Sequence, residues 1–110
     1  MTKVTILKDG DGFLGFSMEG HAGSGEYGRD IVCAALSVLA INTVNAIETF
    51  TEDELLVESQ EKQGILKCRS QGPMSEQATL LMRAFELGVK GVCTEYGRKY
   101  VRLSYEEVRR

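Results

Sequence analysis

The sequence predicts an α+β domain, with two main helices packed on a mostly antiparallel sheet in the order β-β-α-β-β-α-β. Short segments of alternating apolar and polar residues occur in pairs separated by turn residues, which is typical of β-hairpins. Two longer segments have apolar residues at helical spacing instead. The chain has 110 residues, of which 43% are hydrophobic and 26% charged, and we therefore expect one domain over residues 1–110.

The first hairpin consists of two alternating segments around an Asp-Gly-Asp-Gly turn. Residues 2–8 form the first strand and residues 13–19 the return strand, each with its apolar side chains on one face. If the extended geometry continues, His21 lies on the polar face, away from the core.

The first helix is expected to begin after Asp30, whose carboxylate suits an N-cap, and to reach Glu48 or Thr49. Apolar residues cover most of its circumference, which is typical of a helix buried in a domain or at a dimer contact. Asp30, Cys33 and Ser37 are three and four residues apart, so they share one face of this helix.

The second half repeats the pattern of hairpin and helix and adds a last strand. Ser75 is expected to cap the second helix and Gly97 to end it near Tyr96, although Gly88 and Gly91 are unfavourable within a helix. The strands are predicted at 55–60, 65–70 and 100–105.

Composition excludes several classes of function. The net charge of -3 is not the basic footprint of a nucleic-acid-binding protein. The three cysteines are widely spaced and there is one histidine, so we expect neither a disulfide framework nor a metal site. The longest apolar stretch, Ile31 to Ile41, is too short to span a bilayer, and no secretory signal is visible. We therefore expect a cytoplasmic protein without a membrane contact.

Chemistry is concentrated between His21 and Cys33. A thiol needs a base to become a nucleophile, and a helix N-terminus favours the thiolate. Imidazole can accept the thiol proton and return it to a leaving amine. Asp30 either orients the imidazole or only caps the helix. Ser37 either bonds to substrate or thiol, or bonds back to the backbone of its own helix. Cys68 and Cys93 are expected to be packing residues.

The loop between these residues has two interpretations. Gly23, Gly25 and Gly28 match a GxGxxG motif running from a strand into a helix, as in dinucleotide-binding domains. A preceding hairpin, an alternating strand and the short chain count against that interpretation. The same glycines suit a flexible flap that lets an extended peptide approach closely.

The segment from Gly20 to Ser37 resembles the ribosomal-processing cysteine protease family, Prp. The residues that carry the resemblance are Gly20-His21-Ala22, Gly28, Asp30-Ile31-Val32-Cys33-Ala34-Ala35 and Ser37. The resemblance implies His21 as general base and acid and Cys33 as nucleophile. It places Asp30 and Ser37 in supporting positions and implies a homodimer. The implied reaction removes the N-terminal extension of a bacterial large-subunit ribosomal protein, number twenty-seven of that subunit.

We therefore expect an endopeptidase that uses a Cys33/His21 dyad, acts by acyl transfer and needs no cofactor. Two alternatives stay open from the sequence. One is a non-catalytic module that binds a ribosome-assembly partner, and the other is a nucleotide-binding domain.

Overall fold

Within the residues that the structure describes, the fold consists of five strands in one sheet and two long helices. A computed structural model describes residues 1–20, 27–97 and 99–108 of the chain. The elements, in chain order, are β1 (Thr2–Asp9), β2 (Gly12–Glu19), α1 (Tyr27–Phe50), β3 (Leu55–Gln60), a 3₁₀ turn (Glu61–Gln63), β4 (Ile65–Ser70), α2 (Glu76–Tyr96) and β5 (Val101–Glu107). This order and the α+β class confirm the prediction.

The sheet has the strand order β3-β4-β2-β1-β5. Three of its four neighbouring pairs are antiparallel, namely β3–β4, β4–β2 and β2–β1. The fourth pair, β1–β5, is parallel, with Thr2 opposite Val101. The first and last strands of the chain therefore lie side by side.

Both helices belong to one buried core with the sheet. Phe16 of β2 contacts Phe85 of α2, with ring centroids 4.4 Å apart. Residues three and four apart on each helix enter this core, as expected for one buried face. The helical core residues are Val32, Leu36, Ala40, Val44 and Ile47 from α1, and Ala78, Met82, Phe85 and Val89 from α2.

The second helix is continuous through both of its glycines. A Cβ atom on Gly88 would lie 3.0 Å from a methyl carbon of Leu39, so this glycine allows α1 and α2 to approach closely. The predicted caps are confirmed: the Ser75 hydroxyl accepts from the Ala78 N–H at 3.1 Å, and the Gly97 N–H donates to the Cys93 carbonyl.

The first helix begins earlier than its predicted N-cap. It starts at Tyr27, so Asp30 lies within its first turn and the N-cap prediction is wrong. The cause is that an aspartate is favourable both as an N-cap and within the first turn, where it faces the positive end of the helix dipole. The sequence pattern alone did not separate the two positions.

Helix α1 is also longer than its most apolar stretch. Its segment Ile31–Phe50 has the length and hydropathy of a membrane span, because uncharged residues continue beyond Ile41. The prediction was based on Ile31 to Ile41 alone and therefore underestimated the length of the apolar segment in this helix. In this structure, however, one face of the helix packs in the core with Val32 and Leu36 at 0% exposure.

Candidate active site

A cavity of about 210 Å³ lies between the first half of α1 and the hairpin of β3 and β4. Cys33, Ser37 and Ile41, each four residues apart, form its helical wall. Thr2 and Gly20, at the ends of β1 and β2, contribute from the sheet. The remaining lining residues are Met18, Ser59, Gly64, Ile65 and Leu66.

The cavity combines apolar walls with a thiol and three hydroxyl-bearing side chains. Met18, Ile41, Ile65 and Leu66 supply the apolar surface. A mostly apolar concavity with a few polar groups is the usual form of a site for a small molecule or a side chain. The arrangement can hold one apolar side chain beside the thiol of Cys33.

The Cys33 sulfur contacts a hydroxyl that the sequence analysis did not single out. Its Sγ atom lies 3.3 Å from Oγ1 of Thr2, and Thr2 is only 4% exposed. A signal for this residue was present in the alternation of β1: Thr2 shares the face of the apolar residues Val4 and Ile6. A polar residue on the buried face of a strand needs a partner.

The strand that leads to residue 21 ends at this cavity. The Gly20 N–H donates to the carbonyl oxygen of Gly64 at 3.0 Å, which joins the end of β2 to the turn before β4. The site is therefore assembled from the ends of several strands and from one face of α1.

The predicted position of Cys33 in its helix needs correction. We expected it in the first turn, close to backbone N–H groups that make no intrahelical bonds. Because α1 begins at Tyr27, those groups belong to residues 27–30, and Cys33 is beyond them. The neighbouring side chains, more than the helix N-terminus, therefore form the local environment of this sulfur.

The other predicted site residues differ in where they lie and in how much of them the structure describes. Ser37 lies one turn after Cys33 in the cavity wall, as predicted. His21, Gly23 and Gly25 lie outside the described residues. Gly28 was expected in the loop, but its backbone is part of α1. Asp30 is not the N-cap of α1, so its predicted capping role is wrong. Its side chain lies outside the described residues, and its predicted role in orienting the imidazole stays a prediction.

The remaining cysteines do not line this cavity. Cys68 is 1% exposed in the core, and burial raises the pKa of its thiol to about 12. Cys93 is partly buried and packs against the core from α2. Both positions agree with the expectation of packing residues.

Comparison with known proteins identifies the family. A family model described as cysteine protease Prp matches residues 1–102. The chain belongs to the Prp family of cysteine proteases. Prp of Staphylococcus aureus (strain Mu50), a protein named ribosomal processing cysteine protease, is 33% identical over 89 residues, which are 81% of this chain and 83% of that protein.

Solved structures of S. aureus Prp have the same fold. The complex with a substrate peptide aligns with a TM-score of 0.88 at 30% identity, over 96% of this chain and 100% of that one. The complex with a covalently linked product peptide gives a TM-score of 0.84 at 31% identity, with the same coverage of both chains. As a Prp family member, the chain is a cysteine protease.

The family and the fold decide between the alternatives that the sequence left open. Membership of an enzyme family excludes the purely non-catalytic binding module. A dinucleotide-binding domain requires a doubly wound parallel sheet, whereas three of the four strand pairs here are antiparallel. The nucleotide-binding alternative is therefore contradicted.

Proposed function

We propose that this chain is an endopeptidase that removes the N-terminal extension of a bacterial large-subunit ribosomal protein, number twenty-seven of that subunit. The observation that carries the proposal is the position of the Cys33 sulfur in the wall of a cavity of side-chain size. The ribosomal-processing names of the relatives support the choice of substrate. The apolar lining favours a substrate with an apolar side chain close to the scissile bond.

The proposed chemistry is acyl transfer by a Cys33/His21 dyad. The Cys33 thiol gives its proton to the His21 imidazole, and the sulfur attacks the scissile carbonyl carbon to form an S–C bond. When the C–N bond breaks, the imidazolium gives the proton to the leaving amine, and a thioester remains. Water then attacks the thioester, which releases the acid and restores the thiol.

The position of Gly20 supports the role of His21. Gly20 precedes His21 in the chain and lines the same cavity as Cys33. The proposed dyad requires the His21 imidazole to reach this cavity, and the spacing of about 3.8 Å between consecutive Cα atoms is short enough to allow it. Asp30 and Ser37 are proposed to support the dyad, Ser37 from one turn further along the cavity wall.

The direct test is cleavage of the extended ribosomal protein, followed by intact mass. We expect the wild-type chain to release the extension, and we expect Cys33→Ala and His21→Ala to leave the substrate intact. Cys93→Ala is the matched control, because it removes a partly buried thiol outside the cavity and should cleave at the wild-type rate. Cleavage by Cys33→Ala or His21→Ala at the wild-type rate would overturn the dyad. Failure to cleave this substrate, with another peptide cleaved instead, would overturn only the substrate.

We also propose that the enzyme works as a cytoplasmic homodimer that pairs through the exposed face of α1. Val38 is 68% exposed and Ile41 53% exposed on that helix, so it presents apolar side chains to solvent. Light scattering on the wild-type chain should give twice the monomer mass, and Val38→Asp should lower it. Leu87→Asp on α2, where Leu87 is 72% exposed, is the control and should stay dimeric. A wild-type monomer at working concentrations would contradict this proposal.

A further inference from the structure

We propose that Thr2 is a positioning residue for the nucleophile, whose hydroxyl donates a hydrogen bond to the Cys33 thiolate and holds the sulfur at the cavity wall. This inference rests on the proposed function, since it assigns Cys33 the role of nucleophile. The observation that supports this inference is the distance of 3.3 Å between Oγ1 of Thr2 and Sγ of Cys33.

The hydroxyl is fixed by the sheet around it. Thr2 is 4% exposed and begins β1, where its N–H donates to the Tyr100 carbonyl at 2.9 Å. It also lies opposite Val101 in the parallel pair β1–β5. Because the threonine side chain is branched at Cβ, few rotamers are open to it within this packing. The donor is therefore ordered before any substrate arrives.

The protonation state of the sulfur decides the direction of the hydrogen bond. A neutral thiol and a hydroxyl can each donate to the other, and both arrangements fit the observed distance. A thiolate can only accept, so after the proton leaves, the hydroxyl must be the donor. Hydrogen bonds to charged groups are stronger than those between neutral groups, and the contact is therefore stronger when the sulfur carries the negative charge.

Gly20 makes the space that this contact needs. A Cβ atom on Gly20 would lie 2.7 Å from Oγ1 of Thr2 and 3.1 Å from its Cβ atom. Any larger residue at position 20 would displace the threonine side chain from its place beside Cys33. The glycine that precedes His21 is therefore also the glycine that lets Thr2 reach the sulfur.

The test compares two substitutions at Thr2 with one at Thr5. Thr2→Val keeps the shape of the side chain and removes the hydroxyl, whereas Thr2→Ser keeps the hydroxyl. Thr5→Val is the matched control, because Thr5 lies on the opposite face of the same strand and contacts Ser104. The readouts are kcat and KM for the extended ribosomal protein, and the pH profile of Cys33 alkylation by iodoacetamide, followed by peptide mass. Thermal melting reports whether each variant folds.

We expect Thr2→Val to lower kcat about tenfold with little change in KM, and to move the alkylation profile of Cys33 upward by about one pH unit. Thr2→Ser should keep most of the wild-type kcat and an alkylation profile close to that of the wild-type chain. Thr5→Val should resemble the wild-type chain in both measurements. If Thr2→Val folds and keeps the wild-type alkylation profile, the inference is wrong. If Thr2→Val does not fold, a wild-type kcat for Gly20→Ala, which displaces the same hydroxyl, would overturn it.

The failure of this inference can be distinguished from the failure of the proposed function. If Cys33→Ala still cleaves, the proposed nucleophile is wrong, whatever happens at Thr2. If Cys33→Ala is inactive while Thr2→Val is fully active with an unchanged alkylation profile, only the role of Thr2 is wrong.

Discussion

Gly64 and Gly20 are packed backbone to backbone: a Cβ atom on Gly64 would lie 1.7 Å from the carbonyl oxygen of Gly20. Gly64 also has a φ of +66°, in the left-handed region that favours glycine. The turn before β4 therefore packs directly against Gly20, the residue that precedes His21 in the chain. This contact links the hairpin of β3 and β4 to the candidate active site.

The first prediction concerns Gly64→Ala. The substitution adds a methyl group where the Gly20 carbonyl lies and imposes a left-handed conformation on alanine. We expect a loss of more than about 3 kcal/mol in the free energy of unfolding, measured by urea denaturation, and a fall in kcat/KM for peptide cleavage.

Gly10→Ala is the control for the backbone effect alone. Gly10 has a φ of +62°, but a Cβ atom there would meet nothing within 4 Å. Gly10→Ala should lower the free energy of unfolding by about 1 kcal/mol and leave the rate of cleavage unchanged. Equal losses of stability in the two variants would contradict the role of the Gly20 contact.

The second prediction concerns the selectivity of alkylation among the thiols. Cys33 lines the cavity, whereas Cys68 is buried, and its thiol has a pKa raised to about 12 by desolvation. Iodoacetamide should therefore modify Cys33 more than about a hundredfold faster than Cys68, which reacts only after local opening of the fold. Peptide mass mapping of the native chain measures both rates. In urea the difference should disappear, and equal rates in the native chain would disagree with the observed burial.

The third prediction concerns the pH dependence of stability at Asp53. Burial alone would raise the pKa of this carboxyl, but hydrogen bonds from Ser75 and Thr51 together lower it from its ordinary value of 3.8. The Ser75 N–H donates to the Asp53 carboxylate at 2.8 Å and joins the start of α2 to the loop after α1. Because the pKa is lower in the folded chain, the stabilisation is present above about pH 4 and is lost as the pH falls through the folded value.

Asp53→Asn should therefore lower the free energy of unfolding by about 1 kcal/mol near neutral pH and by much less at about pH 3. Urea denaturation at the two pH values measures the difference. Glu52→Gln removes the same charge from an exposed neighbour and should have little effect at either pH. If Asp53→Asn loses more free energy of unfolding at acid pH than at neutral pH, this interpretation is contradicted.

The fourth prediction concerns the apolar wall of the cavity. Ile41→Ala removes part of that wall while changing a side chain that is already 53% exposed, so the fold should be little affected. We expect a five- to tenfold rise in KM, about 1 kcal/mol of lost contact, for a substrate with a large apolar side chain at the scissile bond. Leu87→Ala is the control, since Leu87 is 72% exposed on α2, outside the proposed dimer face, and does not line the cavity. Light scattering checks that Ile41→Ala keeps the wild-type mass, because Ile41 also lies on the proposed dimer face. An equal effect of the two substitutions would show that the cavity does not bind the substrate.

Local patterns were sufficient for most of the elements. The β3–β4 hairpin has its predicted bounds, because Gly64 marks the turn and alternation marks both strands. The bounds of α2 follow from the Ser75 cap and the Gly97 stop, which act within one turn of the chain. The placement of Ser37 beside Cys33 followed from helical spacing alone.

The rest of the site depends on contacts between distant parts of the chain. Nothing near Thr2 in the sequence indicates that its hydroxyl meets a sulfur on α1, since the packing of α1 against the sheet brings them together. The approach of Gly64 to Gly20 likewise depends on how β2 and β4 pair. The start of α1 was missed for a different reason, namely that an aspartate such as Asp30 is favourable both as an N-cap and within the first turn of a helix.

The parallel pairing of β1 with β5 has a consequence for when the enzyme becomes competent during its synthesis. The N–H of Thr2 is held by Tyr100, close to the beginning of the last strand. A nascent chain that has emerged only as far as α2 has its thiol and its first hairpin, but nothing yet beside the outer edge of β1. We therefore expect proteolytic competence to be acquired late, after the region of β5 has left the ribosomal exit tunnel and docked.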